Sequence, residues 1–383
     1  MHIVQIHNEY KDIGGEDVVV AREKKMLEEA GNRVSQYIVS NKDILSISQK
    51  LKTALSLTYS LAQKKNIKEF LKQEAPDVVH VHNFLPIISP AVFYACKELN
   101  VPVVVTIHNY RMICSNGLLY RQGGVCEDCT TNRIGFSGIK NGCYQNSKIA
   151  TAFPVISNAI HGYLKTWTSS IDKVIFLSNL SKEIFDKSHI NFSDNQIEIK
   201  PNFADDNGFS YHKDNYALFV GRLSVEKGVL VIIKACIKSG KRLKVVGNGP
   251  LLDEIKQISY SNNNIEIVGF QNQQELASLY KNAQVLITGS KMYETFGLVI
   301  IESFSYGTPV IAPSFGNAGE LVTNSYNGLH YQLNNIKDLA NTIKKLDSVH
   351  QQFLRKNARK TFLEKYTREE NLSQLLEIYS SVL

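Results

Sequence analysis

Two glutamates could act together in the stretch ETFGLVIIE, where seven residues separate Glu294 from Glu302. The apolar run 297–304 lies between two strand-like runs and predicts a buried helix, with Glu294 in the loop at its N-terminus and Glu302 inside it. In a continuous helix the two residues would lie roughly 12 Å apart, because each residue rises about 1.5 Å. The carboxyls of a glycoside hydrolase lie only roughly 5–9.5 Å apart. The spacing therefore favours two contacts to one extended polar ligand over an acid/base pair.

The loop before this predicted helix has the features of a phosphate site. The backbone amides of Thr295, Phe296 and Gly297 would lie at the positive end of the helix dipole, where anions bind. A plainer interpretation is also open, in which Glu294 caps the helix and Glu302 is a partly exposed residue on a core helix.

Two cations follow the strand-like run 216–220 in the loop GRLSVEKG. A diphosphate leaving group develops negative charge, which an enzyme without a divalent ion must meet with cations and amides. Arg222 offers a planar fork and Lys227 a point charge. No Asp-x-Asp metal-binding motif stands in a matching loop, which fits metal-independent transfer. The alternative is that both are solvated loop cations.

Together, the Gly-Arg-x4-Lys-Gly loop and the Glu-x7-Glu stretch resemble the retaining nucleotide-sugar glycosyltransferases of family 4, and the resemblance covers nearly the whole chain. It implies the GT-B architecture, an α/β fold of two facing doubly wound domains with parallel sheets and a cleft between them. It also implies that Glu294 contacts the hydroxyls of the donor sugar, that Glu302 contacts the ribose, and that Arg222 and Lys227 hold the diphosphate. The further donor-binding residues that the resemblance implies are Gly15, Gly247, Gly269, Phe270, Phe296, Gly297 and Leu298.

The chain has 383 residues and an ordinary globular composition, 43% hydrophobic and 21% charged, so its length favours two domains. A net charge of +7 suits phosphates or an anionic membrane surface, and it is too modest to indicate nucleic acid. The chain opens on a strand-like run rather than a signal peptide, and no run of about 18 apolar residues suggests a membrane span. We expect a cytoplasmic enzyme, with peripheral contact to the inner face of the membrane as a further expectation.

Strand-like and helical runs alternate through the first 203 residues, which predicts a parallel sheet covered on both sides. Ligands of such sheets bind at the carboxyl ends of the strands, which selects His7, His82, His108 and Ser178. His108 could hydrogen-bond a sugar hydroxyl or meet an acceptor proton, and relatives in the family carry a histidine here that contacts the transferred sugar. A structural histidine is the alternative. Gly15 lies in a Gly-Gly turn that lets the backbone approach a phosphate, unless it is a plain strand–helix turn.

Two apolar stretches of the first half are predicted to be helical. Residues 44–72 read as a basic amphipathic helix with six lysines among leucines and isoleucines. Such a helix can lie in a membrane interface and attract anionic lipid, or it can cover a sheet and expose its lysines. Residues 149–167 are expected to cover the sheet as well. Either stretch could border an acceptor that carries a lipid.

Four cysteines lie in the Gly- and Asn-rich stretch 112–146 with the spacing Cys-x11-Cys-x2-Cys-x13-Cys. In a reducing compartment this pattern suggests a tetrahedral structural zinc site at Cys114, Cys126, Cys129 and Cys143. Only one Cys-x2-Cys is present where a zinc ribbon has two, so unligated thiols and disulfide or redox use stay open. Four protein ligands would leave the metal no open position, and no cofactor is expected for catalysis.

The second half begins with a polar stretch at 204–215, after which five strand-like runs predict a second parallel sheet. We therefore predict an acceptor-side domain over 1–203, with the cysteine-containing insertion at about 112–146, and a nucleotide-sugar-binding domain over 204–367. The final helical stretch, 368–383, is expected to cross back to the first domain, as in relatives of the family.

The resemblance implies retaining, metal-independent transfer of a hexose from a UDP- or GDP-sugar to a glycan or lipid-linked acceptor, in bacterial surface-polysaccharide assembly. His108, Glu294, Arg222 and Lys227 are the expected catalytic residues. No residue stands out as a nucleophile, so the family's front-face mechanism is expected, in which the leaving phosphate helps to deprotonate the acceptor. The alternatives are a catalytically silent nucleotide-sugar-binding scaffold and a phosphorylase or epimerase on the same fold.

Overall fold

The computed structural model describes residues 1–11, 14–211, 213–346 and 351–383. These residues divide into two compact units. Unit 1 comprises Met1–Leu119, Cys126–Pro201 and Asn371–Leu383, and unit 2 comprises Tyr120–Val125 and Asn202–Glu370. The sequence-based boundaries fall at 203/204 and 367/368, and the short segment Tyr120–Val125, which the structure groups with unit 2, was not separated from the first domain.

Unit 1 is built on a six-stranded, entirely parallel sheet with the strand order β2-β1-β3-β4-β7-β8. Its inner strands β3 and β4 are buried along their whole length, as expected for a sheet covered on both faces. The strands, with the two-stranded hairpin β5–β6 in the cysteine-containing stretch, are β1 (His2–Glu9), β2 (Arg33–Ser40), β3 (Val78–Asn83), β4 (Val103–Ile107), β5 (Tyr120–Arg121), β6 (Gly124–Val125), β7 (Lys173–Phe176) and β8 (Ile197–Ile199).

The described residues before Asn202 form eight α-helices. They are α1 (Gly15–Glu29), α2 (Ile47–Ser56), α3 (Leu61–Glu74), α4 (Ala91–Leu99), α5 (Phe136–Asn141), α6 (Lys148–Tyr163), α7 (Thr166–Ser170) and α8 (Asn179–Asp186).

The prediction of one helix over 44–72 is wrong. The stretch forms α2 and α3, because Ser60 starts a new helix by accepting a hydrogen bond from the Gln63 amide. α3 buries Ile67 and Leu71, so it is a sheet-covering helix, whereas α2 buries no residue. The sequence pattern could not separate these two outcomes, since both helices carry apolar residues and lysines at helical spacing.

Unit 2 repeats the plan with a six-stranded parallel sheet in the order β11-β10-β9-β12-β13-β14. Five of these strands match the predicted runs, and the sixth, β14, was not predicted because its four residues include a glycine and a histidine. The strands are β9 (Ala217–Val220), β10 (Leu243–Val246), β11 (Ile265–Gly269), β12 (Val285–Ile287), β13 (Val310–Pro313) and β14 (Gly328–Tyr331).

The helices of the second half are α9 (Val229–Ser239), α10 (Leu252–Tyr260), α11 (Gln273–Asn282), α12 (Leu298–Ser305), α13 (Gly316–Leu321), α14 (Ile336–Lys345), α15 (Gln351–Lys365) and α16 (Arg368–Ser380). From Asn371 onward, α16 belongs to unit 1. Both sheets are parallel with helices between their strands, which confirms the predicted pair of doubly wound domains. In the described part of the chain, no helix is both long and apolar enough to cross a bilayer.

Candidate active site

The carboxyl ends of β1, β3 and β4 bring three histidines together at one edge of the unit 1 sheet. These strands are parallel neighbours, so His7, His82 and His108 end up side by side. The rings of His82 and His108 stack with centroids 5.3 Å apart, and the His7 ring stands edge-on to His82 at 6.4 Å. His108 also lines a cavity of unit 1 together with Asn109 and Arg111. It thus lies where doubly wound sheets bind their ligands.

His108 is held by a chain of buried groups. Its Nε2 lies 3.0 Å from Nδ1 of His82, and Nε2 of His82 lies 3.2 Å from Oε1 of Glu23. The second distance is within hydrogen-bond range, but the N–H of His82 is poorly aligned with the oxygen, so this contact is chiefly electrostatic. Burial lowers the pKa of His82 to about 3 and lowers the pKa of His108 well below its usual range, so both rings are neutral near pH 7.

The negative charge of Glu23 favours one assignment of the protons on His82 and His108. The Glu23 carboxylate only accepts hydrogen bonds, so we assign the proton of His82 to Nε2. Nδ1 of His82 is then an acceptor for the N–H of His108 at Nε2. In this assignment the other ring nitrogen of His108, Nδ1, carries no proton and is an acceptor. In this state His108 is suited to accept a hydrogen bond from a hydroxyl.

Glu23 is the centre of a buried polar network on α1. Its carboxylate lies 3.0 Å from Nδ1 of His80, accepts a 3.2 Å hydrogen bond from Gln5, and lies 3.9 Å from the ammonium of Lys200. Burial alone would raise the pKa of Glu23, but His80 and His82 hold it well below its usual range. Glu23, His80 and His82 are the one group in the described residues with three potential metal-binding atoms within 4.8 Å of one another. Because Lys200 already supplies a cation there, we assign the cluster to a buried ion-pair network.

Sequence reasoning missed Glu23, and it selected His82 only by its place at a strand end. A signal was present in the sequence. Glu23 lies on the apolar face of α1 among Val19, Val20, Met26 and Leu27, all buried. A carboxylate among core residues must have a partner, because an unpaired buried charge is strongly destabilising.

Gly15 is the first residue of α1, and a second buried carboxylate follows it. Oε2 of Glu16 accepts a 3.3 Å hydrogen bond from Asn109, and burial raises the pKa of Glu16. The guanidinium of Arg111 lies over the ring of Tyr10 at 5.0 Å. Glu16 was not predicted as a site residue. It adds a titratable group at the same edge of the sheet as His108.

In unit 2 the loops after β9, β10 and β12 lie in direct backbone contact. A Cβ on Gly228 would lie 2.0 Å from the carbonyl oxygen of Gly289, and a Cβ on Gly247 would lie 2.0 Å from that of Gly221. Both glycines also have positive φ, +68° and +131°. Only glycine permits these approaches. The close packing fixes the loop that carries the two predicted phosphate-binding cations.

Lys227 and Glu294 form an ion pair in this loop region. Nζ of Lys227 lies 2.7 Å from Oε1 of Glu294, and the two side chains are 27% and 22% exposed. Burial would raise the pKa of Glu294, but the ammonium of Lys227 and its hydrogen bond lower it below the usual value. The family resemblance implies that these two residues contact different parts of a ligand. The structure brings them together.

Arg222 comes off β9 on the same loop and is exposed, with no ion pair or side-chain hydrogen bond among the described residues. Gly247 directly follows the neighbouring strand β10, and Gly269 is the last residue of β11. The amide of Gly247 donates a 2.9 Å hydrogen bond to the carbonyl of Gly269. Phe270 is 75% exposed beside them. These four predicted donor-binding residues therefore all lie at the carboxyl edge of the unit 2 sheet.

The helix predicted over 297–304 is α12, and Glu294 lies in the loop before it, as predicted. Leu298 is its first residue and Gly297 its N-cap, with φ of +132°. Phe296 is buried, and its carbonyl accepts a hydrogen bond from the Asn317 side chain. Glu302 lies inside α12, where its Oε2 accepts a 3.1 Å hydrogen bond from the hydroxyl of Tyr280.

The four cysteines of the insertion are free thiols. Burial, together with the thiols of Cys114, Cys143 and Cys126, raises the pKa of Cys129 to about 11. Within the described ranges, however, no three of the sulfurs lie within 4.8 Å of one another. The structural zinc site stays a prediction.

The sequence matches the family described as Glycosyltransferase Family 4 over residues 2–207, and the family described as Glycosyl transferases group 1 over residues 202–361. The first match alone spans more than half of the chain. The chain belongs to glycosyltransferase family 4.

Two uncharacterized glycosyltransferases of Methanocaldococcus jannaschii are similar to this family 4 chain. One is 30% identical, and the match covers 60% of the chain and 65% of the relative. The other is 26% identical, and the match covers 79% of the chain and 75% of the relative. The alpha-monoglucosyldiacylglycerol synthase of Streptococcus pneumoniae is 24% identical over 69% of the chain and 57% of its own length. The chain thus spans slightly less than two thirds of the first relative.

Solved structures share the fold of this family 4 chain over its full length. A glycosyltransferase from Rickettsia africae has a TM-score of 0.69 at 19% identity and covers 100% of the chain and 98% of its own. HepE from Anabaena in complex with UDP-glucose has a TM-score of 0.70 at 17% identity, with 100% of both chains covered. With the two parallel sheets, these likenesses confirm the GT-B fold.

Proposed function

We propose that this glycosyltransferase moves a hexose from a UDP- or GDP-sugar to a glycan or lipid-linked acceptor, retaining the anomeric configuration and using no metal ion. The observation that carries the proposal is the Lys227–Glu294 ion pair with the exposed Arg222 on the same loop. A nucleotide-sugar donor has an anionic diphosphate and a hydroxyl-rich sugar. Cations can bind the diphosphate, and a carboxylate can accept hydrogen bonds from the sugar hydroxyls.

The Lys227–Glu294 ion pair would couple the binding of the diphosphate to the binding of the sugar. In the free protein Lys227 and Glu294 neutralise each other at 2.7 Å. A diphosphate that draws Lys227 away would leave Glu294 without its cation in a partly buried site. Sugar hydroxyls would then replace the ammonium as hydrogen-bond donors to the carboxylate. A complete nucleotide sugar should therefore bind better than the nucleoside diphosphate alone, which leaves Glu294 unpaired.

The transfer step needs no protein nucleophile. The acceptor oxygen bonds to the anomeric carbon as the bond from that carbon to the donor phosphate breaks on the same face, and the acceptor proton passes to the departing phosphate oxygen. Arg222, Lys227 and the amides of Phe296 and Gly297 would stabilise the charge on the leaving diphosphate. His108 would accept a hydrogen bond from a sugar hydroxyl, and Glu302 would contact the ribose.

The assignment of a UDP-sugar and of a polysaccharide or lipid acceptor draws on the relatives. The HepE complex contains UDP-glucose, and the pneumococcal relative is named as a glucosyldiacylglycerol synthase. Assembly of a bacterial surface glycan on a lipid carrier is the setting that we propose, with the protein peripheral on the inner face of the membrane.

Thermal-shift titration with UDP-, GDP- and ADP-sugars and with the matching nucleoside diphosphates tests the donor site. We expect one base to stabilise the protein, and Arg222→Ala to abolish that shift. Glu294→Ala should bind the nucleotide sugar and the nucleoside diphosphate about equally, because the carboxylate that senses the sugar is gone. Lys238→Ala, an exposed lysine on α9, is the matched control and should leave every shift unchanged.

Two outcomes would contradict the proposal. No shift with any nucleotide would remove the donor-site assignment and favour a scaffold. Donor turnover that requires free phosphate would favour a phosphorylase. Once an acceptor is found, the anomeric coupling constant of the product by NMR tests retention, and activity after exhaustive chelation tests metal independence.

We further propose that Cys114, Cys126, Cys129 and Cys143 hold one structural zinc ion. Mass spectrometry under non-denaturing conditions should then show one zinc per chain, and Cys129→Ser should lose it, with Cys236→Ser as the control thiol. A wild-type mass without zinc, after expression in zinc-supplemented medium, would refute this assignment.

A further inference from the structure

The surface of unit 1 around α2 and α6 carries an unusual number of exposed apolar side chains. On α2 the residues Ile47, Leu51 and Leu55 are 85%, 57% and 67% exposed, and they follow one another at four-residue spacing. They therefore form one stripe along the helix. Leu45, just before α2, is 83% exposed. A helix with this pattern normally packs its stripe against a core, yet α2 buries none of its residues.

The neighbouring helix α6 carries a second stripe. Its inner face is buried, but four of its residues and its C-cap are large, apolar and exposed, and further exposed side chains lie at the start of α5. The exposed residues are Ile149, Ile156, Ile160 and Tyr163 of α6, Leu164 as its C-cap, Ile134 before α5 and Phe136 as the first residue of α5. α2 lies against α6, and Nε2 of His161 on α6 donates a 2.8 Å hydrogen bond to the carbonyl of Thr58, in the segment just after α2. The exposed residues thus belong to one region, which we call the α2–α6 surface.

The α2–α6 surface is predominantly basic, and Asp128, whose Oδ2 accepts a 3.0 Å hydrogen bond from Ser137 of α5, is an acidic residue beside Phe136. The sequence contains no Asp or Glu from residue 44 to residue 68 or from residue 129 to residue 171. Lys50 and Lys52 flank the α2 stripe, and Lys148 and Lys165 lie at the two ends of α6. None of these four lysines takes part in an ion pair among the described residues. By contrast, Lys64 and Lys68 on α3 are both paired with Glu98, at 2.5 and 2.6 Å.

We infer that the α2–α6 surface docks on an anionic lipid bilayer. Apolar side chains at helical spacing with unpaired lysines beside them match an interface of acyl chains and negative headgroups. A soluble protein partner would need to cover leucines and isoleucines and also to supply acidic residues to at least four lysines. An anionic bilayer offers acyl chains for the apolar side chains and negative headgroups for the lysines, over a surface of any size. The proposal does not depend on the donor site, because the stripes lie on α2 and α6 and include none of the predicted donor-binding residues.

Vesicle co-sedimentation tests the proposal on the full chain. We expect binding to vesicles of equal parts phosphatidylcholine and phosphatidylglycerol, weak binding to pure phosphatidylcholine, and loss of binding in high salt. Leu51→Glu should weaken binding about tenfold or more, since it removes one buried apolar side chain and adds a repelled charge. Lys50→Gln with Lys52→Gln should weaken it about fivefold for each lysine.

Matched controls come from α10 in unit 2. Tyr260 is 92% exposed, and Tyr260→Glu and Lys256→Gln should bind vesicles like the wild type. Each variant should keep its melting temperature and its response to nucleotide sugars, which separates lost docking from misfolding or a failed donor site. Equal vesicle binding by Leu51→Glu and the wild type would overturn the proposal. A concentration-dependent dimer in sedimentation that Leu51→Glu abolishes, without vesicle binding, would overturn it in favour of a second copy.

Discussion

Replacing Gly228 by alanine should break the loop that carries Lys227. The residue has φ of +68°, which costs an alanine about 1–2 kcal/mol. Its new Cβ would also lie 2.0 Å from the carbonyl oxygen of Gly289, while real Cβ contacts are essentially never shorter than 3.0 Å. The two backbones must therefore separate by about 1 Å, since 3.0 minus 2.0 is 1.0. Lys227 and Glu294, at the two sides of this contact, would no longer keep their pairing.

Gly240 at the other end of α9 provides the matched control. It has φ of +74°, but nothing lies within 4 Å of an added Cβ. Gly240→Ala should lower the melting temperature through the conformational cost alone and leave donor binding intact. Gly228→Ala should melt lower still and bind the donor more weakly, and its transfer rate should fall by about a hundredfold, a loss that a misplacement of about 1 Å can cause. Equal melting temperatures and equal donor affinities for the two variants would refute the reasoning.

Two further predictions concern the buried groups of unit 1. Glu23→Ala leaves Lys200 and two buried histidines without their carboxylate and should cost about 3–5 kcal/mol in urea unfolding, with Glu23→Gln losing less; a loss under about 1 kcal/mol would contradict the network. Burial lowers the pKa of His82, His108, His161 and His189. The contribution of these neutral histidines to the free energy of unfolding is complete above the pKa of histidine in the unfolded chain, about 6.5. Below that pH the unfolded chain binds protons that the folded chain does not bind, which favours unfolding. Stability should fall as pH drops from 7.5 to 5.5, by up to about 1.4 kcal/mol per pH unit for each histidine; a flat profile would contradict these shifts.

The sequence by itself determined the elements whose cause is local. Alternating apolar runs and helical stretches predicted both parallel sheets, since strand and helix periods are properties of neighbouring residues. The loop containing Arg222 and Lys227 and the helix after Glu294 were recognisable from their glycines and flanking strands. β8 and β14 were missed because neither is a continuous apolar run: β8 reads Ile-Glu-Ile, and β14 reads Gly-Leu-His-Tyr.

Only the tertiary structure decided which side chains meet. Glu23 is separated from His82 by 59 positions and Lys227 from Glu294 by 67, and no local pattern encodes such pairs. The same limit applies to α2 and α3, whose patterns are alike. α3 buries its apolar face in the core of unit 1, whereas α2 leaves its apolar face exposed. Burial depends on which other parts of the chain lie beside a helix.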